Sequence, residues 1–258
     1  MEKFNGIDMN SSGIAVRYGA EPNSKALCLE ILNEQNNDEK IKKIDYLIKI
    51  LSKNNENNGF FAAKDTIYSN RLFLQGFKLD DKQIYYNFFD NLEKYISIGF
   101  KLSGAALRAI IETENNYFGN VANTAGMKKR AEISKITFND NDDILVPSIK
   151  EFENANCGAC VEFASVAHNL WLMTGLKSYY IISKNVKFQN DNSPDGHAFV
   201  IVENLKGKCM MFDAVNNNFE VLQKNPVKNM LNGVPFSSKG NCYANADKLK
   251  KEKEKQLN

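Results

Sequence analysis

The sequence predicts an α+β protein in which a buried helix is followed by an antiparallel sheet. Three observations indicate this class. Apolar residues recur at helical spacing through much of the first 118 residues. A further apolar helix is expected over residues 160 to 174, ended by Gly175. Beyond Gly175 the pattern changes to short β-branched and aromatic runs separated by turns, which favours strands joined as a meander.

In the N-terminal region, the spacing of Ile41, Ile44, Leu47, Ile48 and Leu51 predicts a helix over residues 37 to 53. A second helix is expected from Asp81 to about residue 96, and a third follows Ser103. We therefore expect residues 1–118 to form a mostly helical N-terminal region that serves as scaffold, lid or partner surface. Residues 119–258 form the second predicted region.

The second region begins with a polar, loop-like segment after Gly119, with a basic patch at residues 128 to 130. A charged tail at residues 248 to 255 ends it and is interpreted as solvated. Between the buried helix and this tail, strands are expected over residues 178–183, 197–203, 209–212 and 219–222.

Composition and charge narrow the classes of function. Hydrophobic residues make up 43% of the 258 residues and charged residues 25%, as in ordinary globular proteins. The net charge of only +2 disfavours a nucleic-acid partner. No stretch reaches the roughly 18 to 20 apolar residues of a membrane span, and no signal segment begins the chain, so we expect no membrane partner and a cytoplasmic location by default. Non-classical secretion as an effector stays open.

Five cysteines are an odd number for a chain of this length, which argues against a disulfide framework and for a reducing compartment. Small buried apolar positions account for some of them. We expect at least one of the five thiols to have a chemical role. The five are Cys28, Cys157, Cys160, Cys209 and Cys242.

Three residues form the candidate catalytic group. Cys160 stands at the start of the predicted buried helix, and a helix N-terminus stabilises the thiolate form that attacks acyl carbons. His197 opens a strand, and Asp213 ends the following one. A hairpin between these two strands would place Asp213 beside the imidazole, where a carboxylate orients the ring. Nucleophile, base and orienting group would then lie together.

The pattern Gly158-x-Cys160-x-Glu162-Phe163-Ala164, followed by His197-Ala198-Phe199 and then Asp213, resembles the catalytic core of the transglutaminase-like superfamily. The resemblance covers residues 154 to about 216. Many members of that superfamily have a tryptophan after the His-Ala pair and a proline soon after the aspartate. This chain has Phe199 and Ala214 at those places.

The resemblance implies a papain-like core in which the helix bearing the cysteine packs on an antiparallel sheet. It also implies that Cys160 is the nucleophile, His197 the general base and acid, and Asp213 the orienting carboxylate. The backbone amide of Cys160 is a candidate donor to the oxyanion, and the side-chain amide of Asn154 or Asn156 is a second, weaker candidate. No cofactor or metal ion is implied.

The predicted activity is that of a Cys-His-Asp acyltransferase or amidohydrolase. It would form a thioester with a protein or peptide substrate, most plausibly at a glutamine side chain, and so catalyse deamidation or transamidation. Two alternatives stay open: a papain-like cysteine peptidase, and a catalytically idle binding module of the same fold.

The segment from Cys157 to Cys160 is also a C-x-x-C motif, which occurs in zinc sites and redox pairs. No second closely spaced Cys/His pair is present, and the polar segment before it does not resemble the first strand of a βαβ unit. We expect Cys157 to be a loop residue, Glu162 to pair or cap locally, and His168 and Trp171 to be structural.

Overall fold

The structure is a computed structural model that describes residues 4–7, 15–19, 23–53, 67–70, 75–119, 124–140, 144–188, 195–204, 207–215 and 218–222. Over these ranges it has seven helices and ten strands, and the α+β class is confirmed. Within the same ranges, no helix has the length and apolar character needed to cross a membrane. The predicted charged tail and Cys242 lie outside the described residues.

The N-terminal region contains four helices. The predicted helix over residues 37 to 53 is confirmed, and the other two predictions are confirmed with small shifts of their ends. A fourth helix over residues 24 to 32 was not predicted because only nine residues form it. The four are α1 (Ser24–Leu32), α2 (Asn37–Lys53), α3 (Gln83–Ser97) and α4 (Leu102–Phe118).

Four short strands in the same region were also not predicted. β3 (Ile67–Asn70) and β4 (Gln75–Lys78) pair with each other as an antiparallel ribbon. β1 (Phe4–Ile7) and β2 (Ala15–Gly19) instead join the large sheet of the second region. Strands this short carry too few residues for a period of two to stand out in the sequence.

The interpretation of residues 119 to 156 as loop-like was wrong, because two helices lie there. α5 (Thr124–Ile133) has almost no amphipathic pattern, so its sequence did not indicate a helix. α6 (Ile149–Ala155) begins at a capping box in which the Ser148 hydroxyl accepts from the Lys150 amide and the Ser148 amide donates to Glu151. β5 (Thr137–Phe138) and β6 (Ile144–Leu145) form a small ribbon between them.

α7 (Cys160–Met173) is the predicted buried helix, and its bounds agree with the prediction within one residue. Every residue from Glu162 to Met173 is buried. Gly175 follows the helix with a positive φ of 76°, and a Cβ there would lie 2.5 Å from the Lys25 backbone nitrogen. Glycine is therefore required both for the turn and for the contact with α1.

The sheet that follows has the order β1-β7-β8-β9-β10, and β2 also pairs with β7. Each of these pairings is antiparallel. The predicted meander of four strands is confirmed, with β7 extending further than expected. Its strands are β7 (Lys177–Phe188), β8 (Asp195–Glu203), β9 (Cys209–Asp213) and β10 (Asn218–Leu222).

One hydrophobic core unites the two predicted regions. It includes Leu47 of α2 and Ala109 of α4 together with Trp171 of α7 and Val200 of β8. Because β1 and β2 also join the large sheet, the division predicted between residues 118 and 119 does not separate two cores. The N-terminal helices are instead part of the scaffold that surrounds α7.

The directions of α7, β8 and β9 bring the start of α7, the start of β8 and the end of β9 to the same end of the packed helix and sheet. β7 starts shortly after α7 ends and runs back beside it, so β8, antiparallel to β7, runs in the same direction as α7. The beginning of β8 therefore lies at the end where α7 begins. β9 is antiparallel to β8, so its last residue lies there too. Cys160 is the first residue of α7 and Asp213 the last of β9, whereas His197 is the third residue of β8, which begins two residues earlier than predicted.

Candidate active site

His197 and Asp213 are joined directly. The Nε2 atom of His197 lies 2.7 Å from Oδ2 of Asp213, and the two side chains are only 12% and 1% exposed. Strand register explains the contact. Val200 pairs with Phe212, so the next pair along the two strands sets Asp213 opposite Phe199, diagonally across from His197 and on the same face of the sheet.

The third predicted residue, Cys160, is the first residue of α7, and its thiol lies near enough to the ring of His197 to raise the pKa of the imidazole. Of the four cysteines in the described residues, Cys160 alone is not fully buried. The structure thus brings the three residues together in the order Cys160, His197, Asp213.

The surroundings of His197 favour its charged form. Burial by itself lowers the pKa of the imidazole, but the hydrogen bonds to Asp213 and Cys160 and the charges of both groups raise it more, to about 10. At neutral pH His197 is therefore an imidazolium. A cation beside a cysteine favours the thiolate, which is the reactive form.

An aromatic ring supports this histidine from one side. The rings of His197 and Phe199 are stacked, with an interplanar angle of 17° and centroids 6.3 Å apart. Phe199 is almost completely buried, so its ring is held in place by the core. Phe199 thereby limits the orientations open to the imidazole.

A charged pair lies directly behind the start of α7. Arg130 of α5 donates from Nε and Nη2 to the two carboxylate oxygens of Glu162, at 2.8 and 2.7 Å. Glu162 also accepts a hydrogen bond from the Ala159 amide at 2.8 Å, so the prediction that it pairs or caps locally is confirmed. The role of Arg130 was not predicted, because the basic patch at residues 128 to 130 does not by itself indicate which residue it contacts.

The two asparagines predicted as weak oxyanion donors lie on or after α6. Asn154 is exposed on that helix. Asn156 ends it in the left-handed region with a φ of 49°, and its side chain lies against Gly119, where a Cβ would come within 2.1 Å of the Asn156 Oδ1. The backbone amides at the start of α7 are better placed donors, since helix geometry leaves the first amides without partners in the helix.

The remaining sequence predictions concern structural residues. His168 is completely buried in α7, and its Nδ1 lies 2.8 Å from the Ser178 hydroxyl, which confirms a structural position. Trp171 is also completely buried and makes an edge contact with Phe212. Cys157 lies in the loop before α7, as predicted, and burial followed by the charge of Glu162 raises the pKa of its thiol.

A second carboxyl near the site was not predicted. Glu114 on α4 is completely buried, and within the described structure neither of its oxygens makes a hydrogen bond of standard geometry; only the backbone of Ala167 approaches. Burial raises the pKa of Glu114 well above its usual range, and the charge of Asp213 adds to this effect. The buried position therefore favours the neutral form of the Glu114 carboxyl. Nothing in the local sequence distinguished it from the half-buried Glu112 on the same helix.

Over the described ranges, no group of three or more His, Cys, Asp or Glu side chains is arranged to hold a metal ion. Comparisons of the chain with protein-family models, curated proteins and solved structures gave no match. Function is therefore inferred from the geometry of the site.

Proposed function

We propose that this protein is a transglutaminase-like thiol enzyme with a papain-like core, which acts on a protein amide through Cys160, His197 and Asp213. The observation that supports the proposal best is the hydrogen bond between His197 and Asp213 beside the thiol of Cys160 at the start of α7. The substrate class is a glutamine side chain in a protein or peptide, and the outcome is deamidation or transamidation.

In the first half of the reaction, His197 holds the proton of Cys160 and the thiolate attacks the carbonyl carbon of the amide. A carbon–sulfur bond forms, and the carbonyl oxygen becomes an oxyanion that the unpaired amides at the start of α7 stabilise. The oxyanion then collapses, the carbon–nitrogen bond breaks, and the His197 imidazolium gives its proton to the leaving nitrogen. Ammonia leaves, and a thioester to Cys160 remains.

In the second half, His197 acts as the base. It takes a proton from water or from a primary amine, whose oxygen or nitrogen attacks the thioester carbon. The carbon–sulfur bond breaks, the sulfur leaves as the thiolate, and the proton stays on His197, which restores the starting state. Water gives a glutamate side chain, whereas an amine gives a substituted amide. Asp213 holds the ring of His197 in one orientation throughout, so both proton transfers use the nitrogen that faces Cys160.

The test uses the full chain with glutamine-containing peptides, each incubated with and without a primary amine. We expect ammonia release and, by mass spectrometry, conversion of glutamine to glutamate or to its amine adduct. Cys160→Ala should abolish both. Cys209→Ala is the matched control, because it removes a buried thiol from the far end of β9 and should leave turnover intact.

Two results would point to the alternatives. New peptide N-termini without ammonia release would favour a papain-like cysteine peptidase. The idle binding module would be favoured if iodoacetamide at neutral pH modifies Cys160 no faster than Cys28, Cys157 and Cys209, and no peptide is altered.

A further inference from the structure

Arg130 reaches the thiol site from a helix that has no part in the predicted catalytic group. Both of its contacts with Glu162 are short, so the guanidinium and the carboxylate form a two-pronged pair. The Glu162 side chain is 0% exposed and that of Arg130 only 16%, so water screens this pair little. Removing one partner would leave the other as a buried, uncompensated charge.

The pair is connected to the backbone that carries the thiol. Glu162 Oε2, which accepts from Arg130 Nε, also accepts from the amide of Ala159, the residue just before Cys160. The neighbouring Lys129 donates from Nζ to the Ala155 carbonyl at 3.0 Å. Two consecutive residues of α5 thus tie the segment from Ala155 to Glu162 in place. That segment includes the amides expected to bind the oxyanion.

The charges also bear on the thiol. A buried carboxylate two residues from Cys160 opposes a thiolate, and its effect is visible at Cys157, whose pKa is raised by burial and then by Glu162. The cation of Arg130 acts in the opposite direction. Burial lowers the pKa of Arg130, but Glu162 and then the sulfurs of Cys160 and Cys157 raise it above its ordinary value. The guanidinium therefore lies within electrostatic range of both thiols.

We propose that Arg130 is a positioning residue of the thiol site. Through Glu162 it fixes the amides at the start of α7, and its charge offsets that of the Glu162 carboxylate, so that a thiolate at Cys160 is not opposed by a buried anion. This role rests on the proposed function and deepens it. Among the described residues, His197 from β8 and Arg130 from α5 interact electrostatically with Cys160, while Glu162 from α7 and Cys157 from the preceding loop are its charged or titratable neighbours along the chain.

The test measures how the rate of Cys160 alkylation by iodoacetamide depends on pH, read from the Cys160 peptide by mass spectrometry. In Arg130→Gln the Glu162 charge has no partner. We expect the midpoint of the alkylation profile to shift upward by about one pH unit, so that the rate at pH values below the midpoint falls about tenfold, because one unit changes the thiolate fraction there about tenfold. Arg130→Lys keeps the positive charge but loses the two parallel guanidinium donors. Its alkylation midpoint should therefore lie close to that of the wild type.

Two further variants keep the test decisive if Arg130→Gln does not fold. In the double variant Arg130→Gln/Glu162→Gln no charge is buried unpaired. Its profile should have the midpoint of the wild type, while turnover stays at least about tenfold lower because the amides are no longer fixed. Arg108→Gln is the matched control. Arg108 on α4 lies over the ring of Phe100, so its substitution should change neither the alkylation midpoint nor turnover.

The outcomes separate this proposal from the proposed function. If wild-type Cys160 reacts faster than the other cysteines, but Arg130→Gln, Arg130→Lys and the double variant all match it in profile and turnover, the role of Arg130 is refuted and the enzyme remains. If Arg130→Gln shifts the midpoint and the double variant returns it, the role is supported. If wild-type Cys160 is no more reactive than Cys209, the proposed function fails, and the role of Arg130 fails with it.

Discussion

The first turn of α7 and the turns that follow it are parts of one helix with opposite surroundings. The first turn contains the partly exposed Cys160 and the charged Glu162, and its backbone amides have no partners further back in the helix. From Phe163 onward the helix is enclosed on all sides by other elements. Reactive groups lie where the backbone still offers donors, and packing residues lie where it does not.

The two histidines of the chain show the same contrast. His168 in the enclosed part of α7 has the neutral hydroxyl of Ser178 at 2.8 Å. His197 at the open end has the Asp213 carboxylate at 2.7 Å and the Cys160 thiol nearby, and both raise the pKa of its imidazole. The two imidazoles thus differ in their partners, not in residue type.

The largest expected effect is at the first turn. Cys160→Ala should lower turnover by about 10³-fold or more, because no other described thiol is placed beside His197. The thermal midpoint should stay close to that of the wild type, since the Cys160 thiol is not part of the enclosed core. Turnover assays and calorimetry on the same preparation check both expectations. Residual turnover above about a tenth of the wild-type rate would contradict the expectation that the first turn of α7 carries the reactive group.

The next effect is at the histidine pair. Asp213→Asn should reduce turnover by about 10²- to 10⁴-fold, because the ring loses its orienting charge. It should also bring the pKa of His197 down from about 10 toward the ordinary 6.5. NMR of labelled imidazoles measures this directly, and the His168 signal serves as the internal reference. An unchanged titration of His197 would show that Asp213 does not set its charge.

The same raised pKa predicts a pH dependence of stability. The folded chain holds the His197 proton more tightly than the unfolded chain, so the stabilisation is complete below about pH 6.5 and is lost as the pH rises toward 10. Urea unfolding from pH 6.5 to 10 should show this loss in the wild type and less of it in Asp213→Asn. Parallel curves for the two proteins would contradict the prediction.

A substitution in the enclosed part of α7 should lower the free energy of unfolding and leave turnover unchanged. Leu170 is completely buried, and Leu170→Ala should lower the free energy of unfolding by about 2 to 5 kcal/mol through the lost contacts and the cavity left behind. Turnover per folded molecule, and its pH profile, should stay within about twofold of the wild type. A change in the pH profile would mean that the two parts of the helix are coupled.

The smallest expected effect is at Glu114, a buried carboxyl near the backbone of Ala167 in α7. Its pKa in the folded chain is above the 4.5 of an ordinary carboxyl, so the folded chain keeps a proton that the unfolded chain releases. Above pH 4.5, stability therefore falls as pH rises, until the folded pKa is passed. Glutamine does not ionise, so the stability of Glu114→Gln relative to that of the wild type should rise with pH within this window. Urea unfolding at pH 5, 6 and 7 measures it, and a constant difference would refute it.

Local sequence patterns were sufficient for the elements with strong periodicity. The apolar spacing of α2 and the composition of α7 predicted both helices nearly to the residue. The same reasoning failed for α5, whose residues show no apolar face. That helix is held by contacts such as Arg130 with Glu162, which join residues 32 positions apart.

By itself, the sequence determined the class of fold and the positions of Cys160, His197 and Asp213 at the starts and ends of elements. Periodicity and turn residues act over a few neighbours, and they suffice for that much. Only the tertiary structure decided that α7, β8 and β9 bring those three ends together, that Arg130 offsets Glu162 behind the thiol, and that Glu114 is completely buried. These features depend on distance and burial between residues far apart in the chain, which local spacing does not encode.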